Sequence, residues 1–489
     1  FFAGDFTQWL LYLLKSVRLT MRHGICEESA MAFTVLGVFW NSTNEDHALV
    51  KRCVDISLRL LERTQGTKLA GWIYATSCFS IYSFNQPVEM SLDNHRKGYA
   101  IAMEAGEFEQ GMMNQIIHDS MVFCTGDNLL KFIKVAEDTA QQCKTYNIMA
   151  LHGTAAVLLA NVRCLIGEQA IDWDELHNCS MRDLKKNPPS AADVTTLGQI
   201  YFNHAFLAAM FRKYKMAHRL ATIFCELTKQ NAGFSFVTIR GISMGLASAG
   251  MYRETKKRKY ARELKAQIKV LESYIANRAD NLNGLFRLLH AEQLSLRDTK
   301  SYHGAIHQTQ EAYDIAIAVC ERSSLTHFCA MACELAGEYL LRMLTTLSTT
   351  NNDDSKYRVQ QRKAKLNNDI RKYMAQAIAF YTEWGCMAKV KDIKERRSEY
   401  LSQEPLNSDG HGTRSAKERQ AAGLLGMGYD SQNPFSRQFG RDANAQTGTN
   451  VSPMIGSAIT FNGNVPSVNV AGRLGNYVES DGVSVLSDL

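Results

Sequence analysis

Between Phe1 and Ser402 the chain carries only three prolines, Pro87, Pro188 and Pro189. So long a stretch with so little proline favours helices, because proline removes a backbone donor and its ring clashes with the preceding turn. The stretch also breaks into helix-length segments of two alternating kinds. One kind is rich in Ala, Gly and aromatic residues, as in LAGWIYATSCFSIYSF (69–84), LHGTAAVLLANVRCLIG (151–167), LGQIYFNHAFLAAMFRKY (197–214) and HFCAMACELAGEYLLRM (327–343). The other is amphipathic and more charged, as in ALVKRCVDISLRLLERT (48–64), NLLKFIKVAEDTAQQCKTY (128–146), HRLATIFCELTKQ (218–230) and IHQTQEAYDIAIAVCER (306–322). In the last of these, Ala312, Ile315, Ala316 and Val319 fall on one helical face.

Stop signals recur along this alternation, at Gly66, Gly106, Asn147, Gly233 and Gly385. Gly and Asn tolerate the left-handed conformation that ends a helix. The first three gaps are 40, 41 and 86 residues, the last close to two units of 43. A period near 40 with two helices per unit is the mark of a helical solenoid, in which stacked neighbours bury what no single pair can. The fold expected is therefore all-α, an α-solenoid of antiparallel helix pairs over residues 1–402. Residues 169–190 read as a shortened unit followed by a loop, and TTLSTTNNDDSK (345–356) as an exposed insertion.

Beyond Ser402 the composition changes. Residues 403–489 hold 12 of the 32 Gly and four of the seven Pro, with no sustained period, and read as a disordered tail. The tail has six Lys/Arg against eight Asp/Glu, a net −2, so the total of +6 leaves +8 on the rest. That excess is too mild over some 400 residues to indicate nucleic acid as a partner. The 12 Cys are scattered with no C-x-x-C, and Cys78, Cys124, Cys164, Cys225 and Cys320 sit in apolar helical patterns. With no signal-like N-terminus, this usage suggests a reducing compartment, cytoplasmic, with nuclear entry as the other route. The most apolar run, NIMALHGTAAVLLANVRCLIG, is interrupted by His152, Asn161 and Arg163, and no membrane span is expected. The opening FFAGDF, without Met, reads as part of a longer protein.

Candidate chemistry is sparse. HGAIH (303–307) sets His303, His307 and Glu311 one turn apart, but a zinc protease needs Glu where Gly304 stands. The surface of a helix start is the preferred reading. Cys329 and Cys333, four residues apart, suit a metal or redox pair less well than two small core residues. Gly241, Gly245 and Ala249 share a four-residue spacing that suits close helix contact. The dipeptide Gly-Lys of a phosphate loop occurs nowhere. GLLGMGYD (423–430) has no strand and helix around it. The sharpest charge run is Lys256, Lys257, Arg258 and Lys259, read mainly as a solvated face and otherwise as a polyanion patch or import signal. G-x-S-x-G, H-R-D and D-F-G are all absent, so no catalytic residue, cofactor or metal is assigned.

One stretch, AIAFYTEWGCMAKVKDI (377–393), carries a resemblance. It is similar to the close of the tetratricopeptide-like helical region in large multidomain signalling ATPases and kinases of the AAA type. There an Ala-rich helix, an aromatic, Trp-Gly-Ala and Lys-Val precede a short last helix. The matching residues are Ala377, Tyr381, Trp384, Gly385, Ala388, Lys389 and Val390, with Cys386 where Ala is usual. HGICEESAMAFTVLGVFW (23–40) resembles the small-residue helix near the start of the same region. The resemblance covers roughly residues 5–401. It implies a tetratricopeptide-like, non-catalytic regulatory array that binds protein partners, its catalytic domains lying elsewhere in the parent protein. Residues 403–489 depart from that pattern, reading as a tail where a sensor, histidine-kinase or cyclase module would be expected. A regulatory module of a transcription factor is the alternative, and a metal-dependent helical enzyme the third. Physically, Trp384 is expected to cover the open apolar end of the last helix pair. Residues 387–401 are expected to form a charged outer cap, since a solenoid needs a polar end.

Overall fold

The structure, a computed structural model, describes residues 6–43, 47–174, 191–227, 234–276, 279–297, 302–349 and 356–401. All regular elements among them are helical. They are α1 (Phe6–His23), α2 (Glu27–Thr43), α3 (His47–Thr64), α4 (Thr67–Ser77), α5 (Val88–Glu104), α6 (Phe108–Thr125), α7 (Leu129–Thr145), α8 (Met149–Ile166) and α9 (Ala191–Met210). There follow α10 (Tyr214–Leu227), α11 (Phe234–Thr255), α12 (Arg258–Ala276), α13 (Asn283–Leu294), α14 (Tyr302–Arg322), α15 (Thr326–Thr349), α16 (Lys356–Trp384), α17 (Met387–Arg396) and α18 (Ser398–Leu401). The expected tail, residues 403–489, the stop at Gly233 and most of the expected 169–190 unit lie outside the described residues.

The two sequence classes become two layers. The Ala/Gly-rich helices α4, α6, α8, α9, α11, α13 and α15 stack on one another in order as the inner layer. They are apolar on most sides because they meet neighbours on most sides. The amphipathic helices α5, α7, α10, α12, α14 and α16 each pair with an inner helix and turn their charged faces outward. Small residues set the approach distance. A Cβ on Gly241 would lie 2.8 Å from Leu285 Cδ2, and one on Gly245 would lie 2.7 Å from Leu289 Cδ1. The spacing read from the sequence is therefore the contact of α11 with α13.

Helix ends follow the stop signals with one shift and several additions. Gly106, Asn147 and Gly385 have positive φ as expected, but at Gly66 the left-handed residue is its neighbour Gln65. Arg212, Lys256 and Ser324 also adopt positive φ, which their side chains do not advertise. Of the expected insertion at 345–356, residues up to Thr349 continue α15, with Leu347 buried. The alternating Thr and Leu there retain enough apolar contact to extend the helix.

α4 is irregular. The Gln110 amide enters its ladder, accepting from the Trp72 N–H at 2.7 Å and donating to the Lys68 carbonyl at 3.3 Å. Asn114 donates to the Gly71 carbonyl at 2.7 Å. The helix then loosens into a π turn over Cys78–Tyr82, which the Ser83 hydroxyl closes by donating to the Cys78 carbonyl. Such inserted side chains are an identifiable cause of helix irregularity.

The array does not stay open. Asn281, in the turn before α13, donates to the carbonyls of Ser83 and Gln86, each at 2.8 Å. Phe84 stacks on Tyr274 with ring centroids 4.8 Å apart. Asn128, at the start of α7, donates to the Glu383 carbonyl at 2.7 Å. These contacts seat the turns of the second half against the turns of the first, and one apolar core runs from Phe84 to Ile393. A tightly wound array of this kind fills the inner surface that an open solenoid leaves as a groove.

Candidate functional site

The residues of the closing stretch do come together, at the seam between the two halves. Trp384 is fully buried, its ring 6.4 Å from Phe123, 5.5 Å from His327 and 6.5 Å from Tyr381. Gly385 ends α16 at φ +87, and the next amide, that of Cys386, returns to the Tyr381 carbonyl at 2.8 Å. The expectation of a lid over an open end is corrected. Trp384 faces α6 and α15, so it lies in the joint, because the array curls until its last turn meets the Gly126–Asn128 turn. Gly126 leaves room for this, since a Cβ there would lie 2.1 Å from His327 Nδ1.

α17 is likewise more than a solvated cap. Val390 and Ile393 are buried, and Lys389 is completely so. Lys389 Nζ lies 2.9 Å from Glu334 Oε1 and 2.8 Å from Asp392 Oδ2, over the face of Phe211 at 5.2 Å. Arg396 spans Glu334 at 2.8 Å and Glu338 at 2.9 Å, and Arg397 holds Glu338 at 2.8 Å. Arg212, in the turn after α9, also pairs with Glu338, and the Tyr381 hydroxyl donates to Glu334 Oε2 at 3.0 Å. Burial alone would raise the Glu338 carboxyl, but Arg397, Arg212 and Arg396 outweigh it and hold the group at about 2. Asp392 is held at about 2 in the same way by Arg396 and Lys389. Carboxylates this low make poor proton donors near neutral pH. The arrangement clasps α17 to α15 and to the end of α9. Sequence reading singled out Lys389 but not Glu334, Glu338 or Arg212; the only sequence signal for the acids is their place in the apolar run of α15.

The basic run is exposed as expected. Lys256 occupies the turn after α11, Arg258 opens α12, and Lys256 to Lys259 all face solvent. Lys213 and Lys215 after α9, Arg262 on α12 and Arg297 after α13 are exposed as well. Since α9, α11 and α13 stack in order, their described C-terminal ends bring these cations to one rim of the array, with the exposed Glu254 among them.

The other candidates take structural places. Cys329 and Cys333 are buried, and both thiols are pushed up, Cys329 by its contact with Cys320 and by burial, Cys333 by burial. His307 is exposed and 3.9 Å from Glu311, and the side chain of His303 lies outside the described residues. Among the described residues, no group of three His, Cys, Asp or Glu side chains is placed to hold a metal ion. A cleft of about 120 Å³ lies at the joint of the halves, lined by Leu285, Phe328, Asn281, Ser324, Glu89 and Asp127. α8 is long and apolar enough to cross a membrane, yet it packs within the inner layer against α7, α9 and α17.

Neither protein-family models nor curated proteins give a match to this chain.

Proposed function

We propose that the chain is a non-catalytic interaction and regulatory module, of the kind that the tetratricopeptide-like regions of signalling ATPases and kinases supply, and that it engages an acidic segment of a protein partner. The observation that carries the reading is the division of charge. Glu334, Glu338 and Glu292 on the inner helices are buried in ion pairs. Lys213, Lys215, Lys256, Lys257, Arg258, Lys259 and Arg297 stand free of burial along one rim. Stacked helices sit ~8–10 Å apart, so consecutive turns present cations at intervals an extended acidic segment can follow. Engagement there would bias a nucleotide switch elsewhere in the parent protein through the rigid inner layer. Cross-linking mass spectrometry of the chain in cell extract tests this, comparing wild type with Lys256→Glu/Lys257→Glu/Arg258→Glu/Lys259→Glu. Cross-links from rim lysines to acidic segments of one partner, lost in the variant, support the reading. Unchanged partner cross-links refute the rim. The same exposed run also suits nuclear import for a transcription regulator, and loss of nuclear accumulation in the variant with partner capture intact favours that second reading.

A further inference from the structure

We infer that the cleft at the joint of the halves is a binding site for a small organic cation, an ammonium group carried on an apolar body. The site is separate from the rim and goes beyond the interaction-module reading. The cleft encloses about 120 Å³, and both halves of the array line it. Leu92 of α5 on one side and Leu285, Leu325 and Phe328 on the other are buried and give it an apolar wall. An apolar cavity of about 150 Å³ takes benzene, so this space suits a body of about six to eight carbon atoms. Glu89 and Asp127 line the same cleft and are exposed, so they stand where it opens to solvent. An apolar wall with a few polar groups at one end is the usual build of a small-molecule site.

The charge around the cleft selects the occupant. Among the described residues neither Glu89 nor Asp127 forms an ion pair, and nearby Arg96 is held by Asp93 at 2.7 Å. Burial pushes the Asp127 carboxyl above its usual range and the like charge of Glu89 adds to this, while Lys131, His118 and Arg96 work the other way. A cation brought beside such a carboxylate stabilises its charged form. Thr125 ends α6 and Ser323 follows the end of α14, and both line the cleft, so two helix C-termini add partial negative charge there. An anion is repelled by this field. A neutral apolar ligand fills the space but leaves both carboxylates without a partner, and a bare metal ion gains nothing from the apolar wall. An ammonium on an apolar body answers both parts of the cleft. Since the lining is shared between the halves, an occupant also reinforces the joint that Asn281 makes with Ser83 and Gln86.

The test uses the whole chain with phenethylamine as the probe and phenethyl alcohol and phenylacetate as controls of similar shape. Calorimetric titration should show one saturable site for the amine, at least about tenfold tighter than for the alcohol, and no binding of phenylacetate. Asp127→Asn and Glu89→Gln, both at exposed positions where folding is not at stake, should each weaken the amine by about fivefold and together remove its advantage over the alcohol. Saturating amine should raise the melting temperature of the wild type and not that of the double variant. Methyl NMR should place the shifts caused by the amine at Leu92, Leu285 and Leu325. Equal binding of amine and alcohol, no saturable binding, or methyl shifts elsewhere overturns the site. So does tighter binding of calcium ions, which would mark a carboxylate pair only, or of N-acetyl-lysine methylamide, which would give the cleft to a lysine of a protein partner. The rim variant should bind the amine as wild type does, so failure of the cleft and failure of the rim are told apart.

Discussion

Trp384 shows how a single side chain can be legible in kind and illegible in place. An aromatic just before a helix-stopping glycine invites burial, and burial is what the structure has. Its neighbours Phe123 and His327 lie in helices that no local spacing connects to it. The expected effect of Trp384→Ala changes accordingly. Deleting a large buried aromatic costs ~3–5 kcal/mol. Hydrogen exchange should quicken over α15 to α17 and also over the Phe123–Asn128 end of α6, while α2 and α3 stay protected. Quickening confined to α16 and α17 would restore the lid reading. Lys389 teaches the same lesson from the opposite side. A lysine in a charged helix reads as solvated, and only the acids of α15 make its burial tolerable. Removing one partner of such a pair costs about 3–5 kcal/mol, because the other charge is left buried alone.

At the scale of the helix, the reading succeeds where the signal is local. Small residues at four-residue spacing on α11 are a property of one helix, and they do contact α13. The outer helices announce themselves by one apolar stripe. The joints do not, since Arg212, Lys256 and Ser324 take left-handed turns that their residue types do not announce, closed by local backbone bonds such as Lys213 N–H to the Ala208 carbonyl and Leu325 N–H to the Cys320 carbonyl. The inner helices are also sensitive to a single methyl group. A Cβ on Gly250 of α11 would lie 2.1 Å from the ring of Tyr214, a rigid and half-buried group. Gly250→Ala should therefore destabilise the chain by about 1–3 kcal/mol, the usual cost of overpacking, despite the higher helix propensity of alanine. Urea titration followed by circular dichroism measures it. Stabilisation instead of loss would mean that the contact of α10 with α11 is loose.

For the molecule as a whole, the seam between the halves was not legible, because periodicity reports what stacks on the next unit and says nothing of how far the stack curls. The curled form has an acid weakness. His95 and His327 are buried and neutral, pushed down to about 3 by burial, with the Asn114 hydrogen bond at His95 working the other way. In the unfolded chain each takes its proton near pH 6.5, so the unfolded state binds more protons below that pH. Stability is full above pH 6.5 and falls as the pH drops toward 3, by about 1.4 kcal/mol per unit for each histidine. Below about 4.5 the protonation of Glu338 and Asp392, both held at about 2, adds to the loss. Urea midpoints at pH 7.5, 5.5 and 4.5 should decline, and His327→Gln should flatten the decline between 6 and 4.5; an unchanged slope would show that His327 takes up its proton without unfolding. The contact of Asn128 with Glu383, 255 residues along the chain, has a further consequence during synthesis. At ~5–20 residues per second, Phe123 and its apolar surroundings leave the ribosome tens of seconds before the segment that covers them. For that interval the nascent first half presents a bare apolar end, uncovered until Trp384 arrives.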